Sequence, residues 1–317
     1  MQELVKKAKE LLTSGKIDIV LGWRKGELPF EIAPAFFSTQ SSLDDFVYNG
    51  FSTANLSKYL VDRHEKILIF LKPCDTYSLN QLLAENRVKR ENIYTIGIGC
   101  RGTLDIKKIR GADISGILNV TETGETLKVS TMYGNSDFSR KTALQDKCLA
   151  CKGKEHMIYD ELMLTEISDI TTDSDKFAKV QHLENENGET RYNFWRRHLG
   201  DCIRCNTCRN VCPACTCRKC VFDNPHSGVA ANVNTREFEE NLFHIIRGYH
   251  VAGRCTDCGE CSRVCPQDVP LDLINRKFIK DINQLYGNYQ AGETPEFNSP
   301  LLKFDQNDPE SKGGSNV

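Results

Sequence analysis

The sequence predicts two parts: an α/β domain with a mostly parallel sheet at the amino end, then a small cysteine-rich domain of α+β or helical structure. Three short segments, 17–21, 67–71 and 93–98, are rich in aliphatic residues and have the length of buried strands, and helical stretches stand between them. All but four of the 15 cysteines lie between Cys202 and Cys265. These observations together define the predicted fold class.

The amino-terminal elements alternate in the order that a parallel sheet requires. The first helix carries an apolar face and stops at Gly15; its apolar residues are Leu4, Val5, Ala8, Leu11 and Leu12. A helix is expected at 56–61, and another follows the second strand, with Asp75 as its cap, and runs to about Glu85. Because parallel strands end at one edge of the sheet, residues just after 67–71 and 93–98 are expected to share a site.

The second half of the chain is predicted to form helices around the cysteines. The polar stretch 155–191 is expected to be a covering segment or linker, and a helix is expected at 192–199. Another helix is expected to be capped by Asn234 with Glu237 at its third position. Its predicted buried stripe is Phe238, Leu242, Ile245, Ile246 and Tyr249. A last helix is expected from Pro270 to near Gly287.

These elements predict a division into four segments. The α/β domain takes residues 1–170, a linker 171–200, the cysteine-rich domain 201–287 and an extended tail 288–317. The tail is rich in Asn, Gly, Pro and Ser, and is expected to be disordered or ordered only on a partner.

Composition excludes several classes of protein. The 41 Lys and Arg nearly balance the 43 Asp and Glu, for a net charge of −2, so nucleic acid is not expected as a partner. The longest aliphatic and aromatic run, 67–71, is too short to span a membrane. The number of cysteines is odd, and the amino terminus, MQELVKKAKELL, is unlike a secretory signal; both indicate a reducing, cytoplasmic setting.

Two copies of one motif, C-x2-C-x2-C-x3-C-P, begin at Cys202 and Cys255. This is the bacterial ferredoxin pattern for 4Fe–4S ligation, in which the fourth cysteine of each run binds the other cluster. The pattern assigns one cube to the first three cysteines of the first run plus Cys265, and the other cube to the first three of the second run plus Cys212. The two ligand sets are therefore Cys202, Cys205, Cys208, Cys265 and Cys255, Cys258, Cys261, Cys212.

The alternative for these runs is a pair of zinc ribbons, which use C-x2-C pairs without a third cysteine at the same step. Cross-ligation would make the two cubes one folding unit that forms only when both are bound. Cubes held by four thiolates leave no iron open to substrate, so the pair is expected to relay single electrons. Pro213 and Pro266 turn the chain away after each fourth cysteine.

The other cysteines allow further sites. Cys74, Cys100, Cys148 and Cys151 number four, two of them follow predicted strands and two form C-x2-C, which favours a third 4Fe–4S cube over scattered core cysteines. Another group, Cys215, Cys217 and Cys220, could bind zinc with His226 or serve as alternative ligands, but we expect these thiols to be unligated beside the first cube.

A glycine pattern, Gly97, Gly99 and Gly102, matches the dinucleotide fingerprint G-x-G-x-x-G only weakly. Gly111 interrupts the helix that should open at Gly102, and Gly116 and Gly124 break the next one. Cys100 within it is better explained as a cluster ligand. The seven histidines are dispersed, and we expect His244 and His250 to be helix residues and not ligands.

The segments LKPCDTYSLNQLL, ENIYTIGIGCRGTLD and DKCLAC resemble the amino-terminal domain of the coenzyme F(420) hydrogenase/dehydrogenase beta-subunit family, which includes formate dehydrogenase beta subunits. The segments CIRCNTCRNVCPACTC and FHIIRGYHVAGRCTDCGECSRVCP are similar to the dicluster part of anaerobic sulfite reductase A-type subunits. Together these resemblances cover most of residues 17–290.

The resemblance implies an iron–sulfur electron-transfer subunit of an anaerobic complex of the formate dehydrogenase, hydrogenase or heterodisulfide reductase kind. Its partners would be a catalytic subunit and a flavin- or cluster-bearing subunit or carrier. The four amino-terminal cysteines stand at positions that look like cluster ligands of the family. Some members bind FAD, so one alternative is an FAD-containing reductase beta subunit with its own small-molecule site; another is a zinc-stabilised scaffold.

Overall fold

The computed structural model describes residues 1–153, 155–163, 175–229, 237–296 and 298–302. The chain divides into two compact units. Unit 1 comprises 1–76 and 88–174, and unit 2 comprises 77–87 and 175–317. The boundaries expected at 170, 200 and 287 stay predictions, and the segment 77–87 clusters with the later part of the chain.

Unit 1 contains a five-stranded and a three-stranded sheet. In chain order its elements are α1 (Gln2–Thr13), β1 (Ile19–Lys25), β2 (Ile32–Phe37), β3 (Ile67–Leu71), α2 (Pro73–Ala84, continuing into unit 2), β4 (Ile93–Ile98), α3 (Ile106–Arg110), β5 (Ile117–Thr123), β6 (Thr126–Thr131), β7 (Gly134–Ser139), α4 (Arg140–Ala143), α5 (Asp146–Leu149) and β8 (Glu161–Met163).

The five-stranded sheet has the order β2-β1-β3-β4-β8, and every neighbouring pair except β1 and β2 is parallel. The mostly parallel α/β class is therefore confirmed. Strand β3 is buried along its whole length, as expected for a central strand covered on both faces. The strands expected at 67–71 and 93–98 form there, whereas β1 starts two residues later than expected, at Ile19.

Three local expectations for unit 1 were wrong. The stretch 56–61 forms only a 3₁₀ turn, Ser57–Leu60. Helix α2 begins at Pro73, so Asp75 lies inside its first turn, where it pairs with Lys72 and does not cap the helix. The polar segment after residue 155 contributes β8, an edge strand that pairs with β4.

The three-stranded antiparallel sheet β5-β6-β7 was missed by the sequence reading. It has its own core, in which Leu127 and Val129 of β6 are fully buried at alternate positions. Leu104, Ile109 and Ala143 from the flanking segments pack in the same cluster. Gly124 lies between β5 and β6 at a positive φ of 61°, which a glycine adopts without strain.

Every regular element among the described residues of unit 2 is helical. Besides the end of α2, the unit has α6 (Ala178–Asn185), α7 (Gly188–Gly200), α8 (Thr207–Asn210), α9 (Glu237–Val251), α10 (Glu260–Arg263) and α11 (Leu271–Tyr286). Helix α7 starts four residues before the expected 192 because the Asn187 side chain caps it by accepting from the Thr190 amide. Helix α11 matches the expected last helix.

The predicted buried stripe of α9 was wrong. Phe238, Ile245 and Tyr249 are 68%, 48% and 65% exposed. The buried face instead carries a mixture of aromatic and charged side chains, namely Glu240, Phe243, His244 and Arg247. The expected cap Asn234 lies outside the described residues.

Part of the expected tail packs on unit 2. The Tyr289 hydroxyl donates to the carbonyl of Gly253 at 2.7 Å, and the Asn80 amide donates to the carbonyl of Glu293 at 3.3 Å. Ala291 is buried. Residues 303–317 lie outside the described part of the chain.

Candidate metal centres

The two cysteine runs of unit 2 fold as matched repeats. In the first run, Arg204 and Asn206 on either side of Cys205 have positive φ angles of 53° and 60°. In the second run, Asp257 and Gly259 occupy the corresponding positions with 53° and 69°. Each third cysteine then lies in a one-turn helix, Cys208 in α8 and Cys261 in α10. Such left-handed residues curl the chain around one centre, which is what three cysteines of one run need.

The fourth cysteine of the second run lies beside the first run. The pKa of the Cys202 thiol is raised to about 11, mainly by burial. Glu240, Cys208 and Cys265 contribute to the rise, and a hydrogen bond from the Arg204 amide opposes it. Cys208, Cys261 and Cys265 belong to one buried cluster with Leu199, Val269 and Leu271.

The fourth cysteine of the first run lies beside the second run. Burial raises the pKa of Cys258, and Glu260, Cys212 and Cys255 add to the rise. Burial also raises the pKa of Cys261; Arg247 opposes that rise, and Cys212 adds to it. Cys265 and Cys212 thus each act electrostatically on cysteines of the opposite run, and the crossed ligand sets expected from the motif stay a prediction.

The two runs differ in exposure. Cys205 is exposed, and a hydrogen bond from the Thr207 hydroxyl at 3.4 Å lowers its pKa. Its counterpart Cys258 is 8% exposed. The first run is thus more open to solvent at Cys205 than the second run is at Cys258.

Three of the four amino-terminal cysteines come together after the parallel strands of unit 1. Cys74 follows β3, Cys100 follows β4, and Cys148 lies in α5. Burial raises the pKa of Cys100 to about 11, and Cys148 adds to the rise. Burial also raises the pKa of Cys74, with contributions from Asp75 and, more weakly, Cys100. Cys151 stands three residues beyond Cys148, and its thiol donates to the carbonyl of Gly153 at 3.4 Å.

Backbone donors already face two of these thiols. The Gly102 amide lies 3.3 Å from the Cys100 Sγ, and the Thr103 amide lies 3.2 Å from the Cys148 Sγ. Amide donors of this kind stabilise thiolates that bind iron, so the residues present fit the expected group. The Cys151 thiol contacts the Gly153 carbonyl instead of another thiol of this group.

The sequence reading missed two polar groups around these thiols. Lys72 is completely buried and forms an ion pair with Asp75. The Tyr48 hydroxyl donates to the carbonyl of Gly99 at 2.7 Å; burial and then Cys100 raise its pKa well above the usual value. The only available signal was the placement of Lys72 and Asp75 around Cys74 in the segment LKPCD.

The remaining cysteines are spread over a loop of unit 2. Cys217 and His226 are exposed, and Cys215 and Cys220 are half-buried. Among the described residues, no three His, Cys, Asp or Glu side chains are gathered closely enough to hold a single metal ion. The thiolates of a cube bind different irons, so this single-ion geometry applies to zinc and not to a cube.

Known protein families place the cysteine-rich part in a defined class. A family model described as a 4Fe–4S dicluster domain matches residues 198–269. The chain therefore contains a dicluster iron–sulfur domain, which includes both cysteine runs.

Similarity to known proteins extends well beyond that domain. The chain is 22% identical to the F420-dependent formate dehydrogenase subunit beta of Methanocaldococcus jannaschii, over 88% of each chain. It is 23% identical to F420-dependent formate dehydrogenase 1 subunit beta of Methanococcus maripaludis, over 91% of this chain and 89% of the relative. The resemblance to formate dehydrogenase beta subunits expected from the sequence is thus confirmed.

A solved structure shows a more distant similarity. It is the F420-reducing [NiFe] hydrogenase complex of Methanosarcina barkeri, matched at 14% identity and a TM-score of 0.39. The match covers 47% of this chain and 58% of that chain, so this chain spans little more than half of its length. No helix among the described residues is long and apolar enough to cross a bilayer.

Proposed function

We propose that this chain is an electron-transfer subunit of an anaerobic oxidoreductase complex and that it relays single electrons through 4Fe–4S clusters. The observation that carries the proposal is the matched folding of the two runs; it is supported by the electrostatic effect of Cys265 on Cys202 and of Cys212 on Cys258. That arrangement suits two adjacent cubes. It does not suit a substrate site, since every iron would carry a protein thiolate.

In this proposal the dicluster ligands are two crossed sets. Cys202, Cys205, Cys208 and Cys265 hold the first cube, and Cys255, Cys258, Cys261 and Cys212 hold the second. Burial of the second run shields its cube from solvent, whereas exposed Cys205 leaves the first cube nearer the surface. The first cube is therefore the proposed point of electron exchange with a partner.

A third cube in unit 1 extends the relay. Its proposed ligands are Cys74, Cys100, Cys148 and Cys151. The proposal is supported by the proximity of the first three thiols and by amide donors to Cys100 and Cys148. Ligation by Cys151 requires its thiol to turn from the Gly153 carbonyl toward the others.

The relatives suggest the kind of complex. Both are named as beta subunits of F420-dependent formate dehydrogenases, and they align over about nine tenths of this chain. We therefore propose that the chain works beside a catalytic subunit that oxidises a small substrate of the formate class. The other end of the relay would meet a flavin- or cluster-bearing subunit or a soluble carrier.

A second candidate function is a reductase subunit that binds FAD itself. The observation in its favour is the term F420-dependent in the names of both relatives. A cube passes one electron at a time, so delivery of an electron pair to a deazaflavin carrier needs an intermediate such as a flavin. In that case the chain would have its own small-molecule site and would be an enzyme in its own right.

One anaerobic purification separates these possibilities. Iron and acid-labile sulfide analysis is expected to give about twelve irons per chain for three cubes, and about eight if unit 1 holds none. Acid extraction that releases FAD supports the reductase, and a colourless extract contradicts it. Zinc in place of iron, with no brown absorbance and no EPR signal after reduction, would overturn the relay in favour of a zinc-stabilised scaffold.

A further inference from the structure

Arg247 is a buried cation on the inner face of helix α9. Only 3% of the surface of Arg247 is exposed. Its Nη2 donates to the carbonyl of Cys208 at 3.1 Å, while its Nε has no hydrogen-bond partner among the described residues. A guanidinium remains protonated in proteins, so a full positive charge is buried here.

The other buried arginines of unit 2 have carboxylate partners. Arg204 lies 3.3 Å from Glu240, and Arg276 lies 2.9 Å from Asp257. Within the described part of the chain, no carboxylate pairs with Arg247. Burying a charge without a counter-charge is strongly unfavourable, so the position calls for an anion.

The groups that raise the pKa of Arg247 are three cysteines of the two runs and Cys215, which follows the first run. Burial lowers its pKa, but the raising contributions outweigh burial and come from Cys212, Cys261, Cys208 and Cys215. Cys208 belongs to the ligand set proposed for the first cube, and Cys212 and Cys261 belong to the second. Arg247 thus lies close to both proposed cubes.

Glu240 and His244, which lie on the same face of α9, do not neutralise the positive charge of Arg247. Glu240 is engaged by Arg204. His244, one turn before Arg247, has its pKa lowered to about 3 by burial and by the two arginines, so it is neutral at physiological pH. The net charge of this inner face near the cysteines is therefore positive.

Resting on the function proposed above, we propose that Arg247 is the shared counter-ion of the two dicluster cubes and raises their reduction potentials. A cube with four thiolates is an anion, and reduction by one electron makes it more negative. A fixed positive charge in a poorly solvated site stabilises the reduced form more than the oxidised form. The proposal also explains why a charge occupies a face that the sequence pattern assigned to solvent.

The test is an EPR-monitored redox titration of the full chain, poised with dithionite and mediators, with iron measured on each sample. In Arg247→Gln we expect the equilibrium constant for reduction of the dicluster to fall at least tenfold, or about 59 mV for one electron. Arg247→Lys keeps the charge and should lie between this variant and the wild type. Arg197→Gln, which removes the same charge from an exposed position on α7, should titrate like the wild type.

Iron content separates the possible failures. Arg247→Gln with full iron and wild-type potentials would overturn the counter-ion role while leaving the relay intact. If Arg247→Gln loses its iron, retention of iron by Arg247→Lys supports a role for the charge. Loss of iron from both variants would show that the guanidinium bond to Cys208 is structural, and would overturn the proposal. Wild-type protein without iron would instead remove the proposed function itself.

Discussion

The Nζ of Lys72 lies 2.9 Å from the Oδ2 of Asp75, and both side chains are completely buried beside Cys74. Lys72 also donates to the carbonyl oxygens of Ser52 and Ala54, at 3.1 and 3.0 Å, and lies 4.5 Å from the ring centre of Trp23. These contacts fix the junction between β3 and α2, where the first amino-terminal cysteine stands.

Replacing one member of this pair should destabilise unit 1. Lys72→Met leaves the Asp75 carboxylate buried without its cation, so we expect a loss of about 3–5 kcal/mol in unfolding free energy. Urea unfolding followed by far-UV circular dichroism measures the loss. Arg63→Gln, which breaks an ion pair with Glu65 whose side chains are 40% and 42% exposed, should cost much less, because solvent screens this pair. Equal losses in the two variants would contradict the buried pair's role.

Cross-ligation predicts how single cysteine variants should group. Cys212→Ala is expected to change the same EPR species as Cys258→Ala, although Cys212 belongs to the first run. Cys265→Ala should resemble Cys205→Ala for the same reason. The measurement is the EPR spectrum and iron content of each variant after reduction. If Cys212→Ala instead resembled Cys205→Ala, each run would hold its own cube and the crossed assignment would be wrong.

Gly292 makes a close approach that a side chain would block. Its φ is +76°, and a Cβ built there would lie 1.9 Å from the carbonyl oxygen of Tyr77. Gly292→Ala should therefore lower the melting temperature more than Gly15→Ala, which has a similar φ of +67° but open space around it. The control should lose only the backbone cost of about 1–2 kcal/mol. If Gly292→Ala and Gly15→Ala lowered the melting temperature equally, residue 292 would be able to move away from Tyr77 at little cost in free energy.

His156 should make stability depend on pH near neutrality. Burial lowers its pKa, although bonds to the carbonyls of Leu71 and Ile98 oppose the shift. The unfolded chain therefore binds a proton more readily than the folded one below the unfolded pKa of about 6.5. The stability that neutral, buried His156 contributes is therefore complete above that pH, and it is lost as the pH falls toward the pKa of His156 in the folded chain.

The measurement for His156 is the unfolding free energy between pH 7.5 and 5.5, which we expect to fall by at most about 1.4 kcal/mol per pH unit. His156→Gln keeps a donor for the Leu71 carbonyl and should flatten this profile. His64→Gln is the matched control because it removes an exposed histidine from the same unit. A wild-type slope that persists in His156→Gln would assign the dependence to another group.

Strong local patterns allowed much of the fold to be predicted from the sequence. Strand β3 was found because both of its faces are buried, which leaves an unbroken apolar run. Strand β4 was found from Ile93, Ile96 and Ile98, although Thr95 interrupts the apolar pattern. The β5-β6-β7 sheet was missed because one face is solvated and its apolar positions, such as Leu127 and Val129, alternate with polar ones over short strands. Strand β8 has three residues, too few for any period to show.

The residues on the inner face of α9 were not predicted correctly from the sequence. Apolar residues were assigned inward because burial of hydrophobic groups is the usual rule, yet Tyr249 is exposed and Arg247 is buried. The cysteine motif locates ligands through spacing alone, but it carries no information on which distant helix covers them. Lys72 was missed for the same reason, since its burial follows from contacts with residues 52 and 54 that no local pattern encodes.

Residues 77–87 belong to unit 2 although about ninety residues of unit 1 separate them from the rest of it. They supply Glu85, which pairs with Arg254 at 2.6 Å, and Ser78, whose hydroxyl lies 2.9 Å from that of Thr256. During synthesis this segment leaves the ribosome long before its partners exist, so unit 2 can close only late and through contacts of large sequence separation. A fragment beginning at Asp175 would lack this segment and leave Arg254 without its carboxylate. Assembly of unit 2 therefore requires residues from both sides of the 88–174 segment of unit 1.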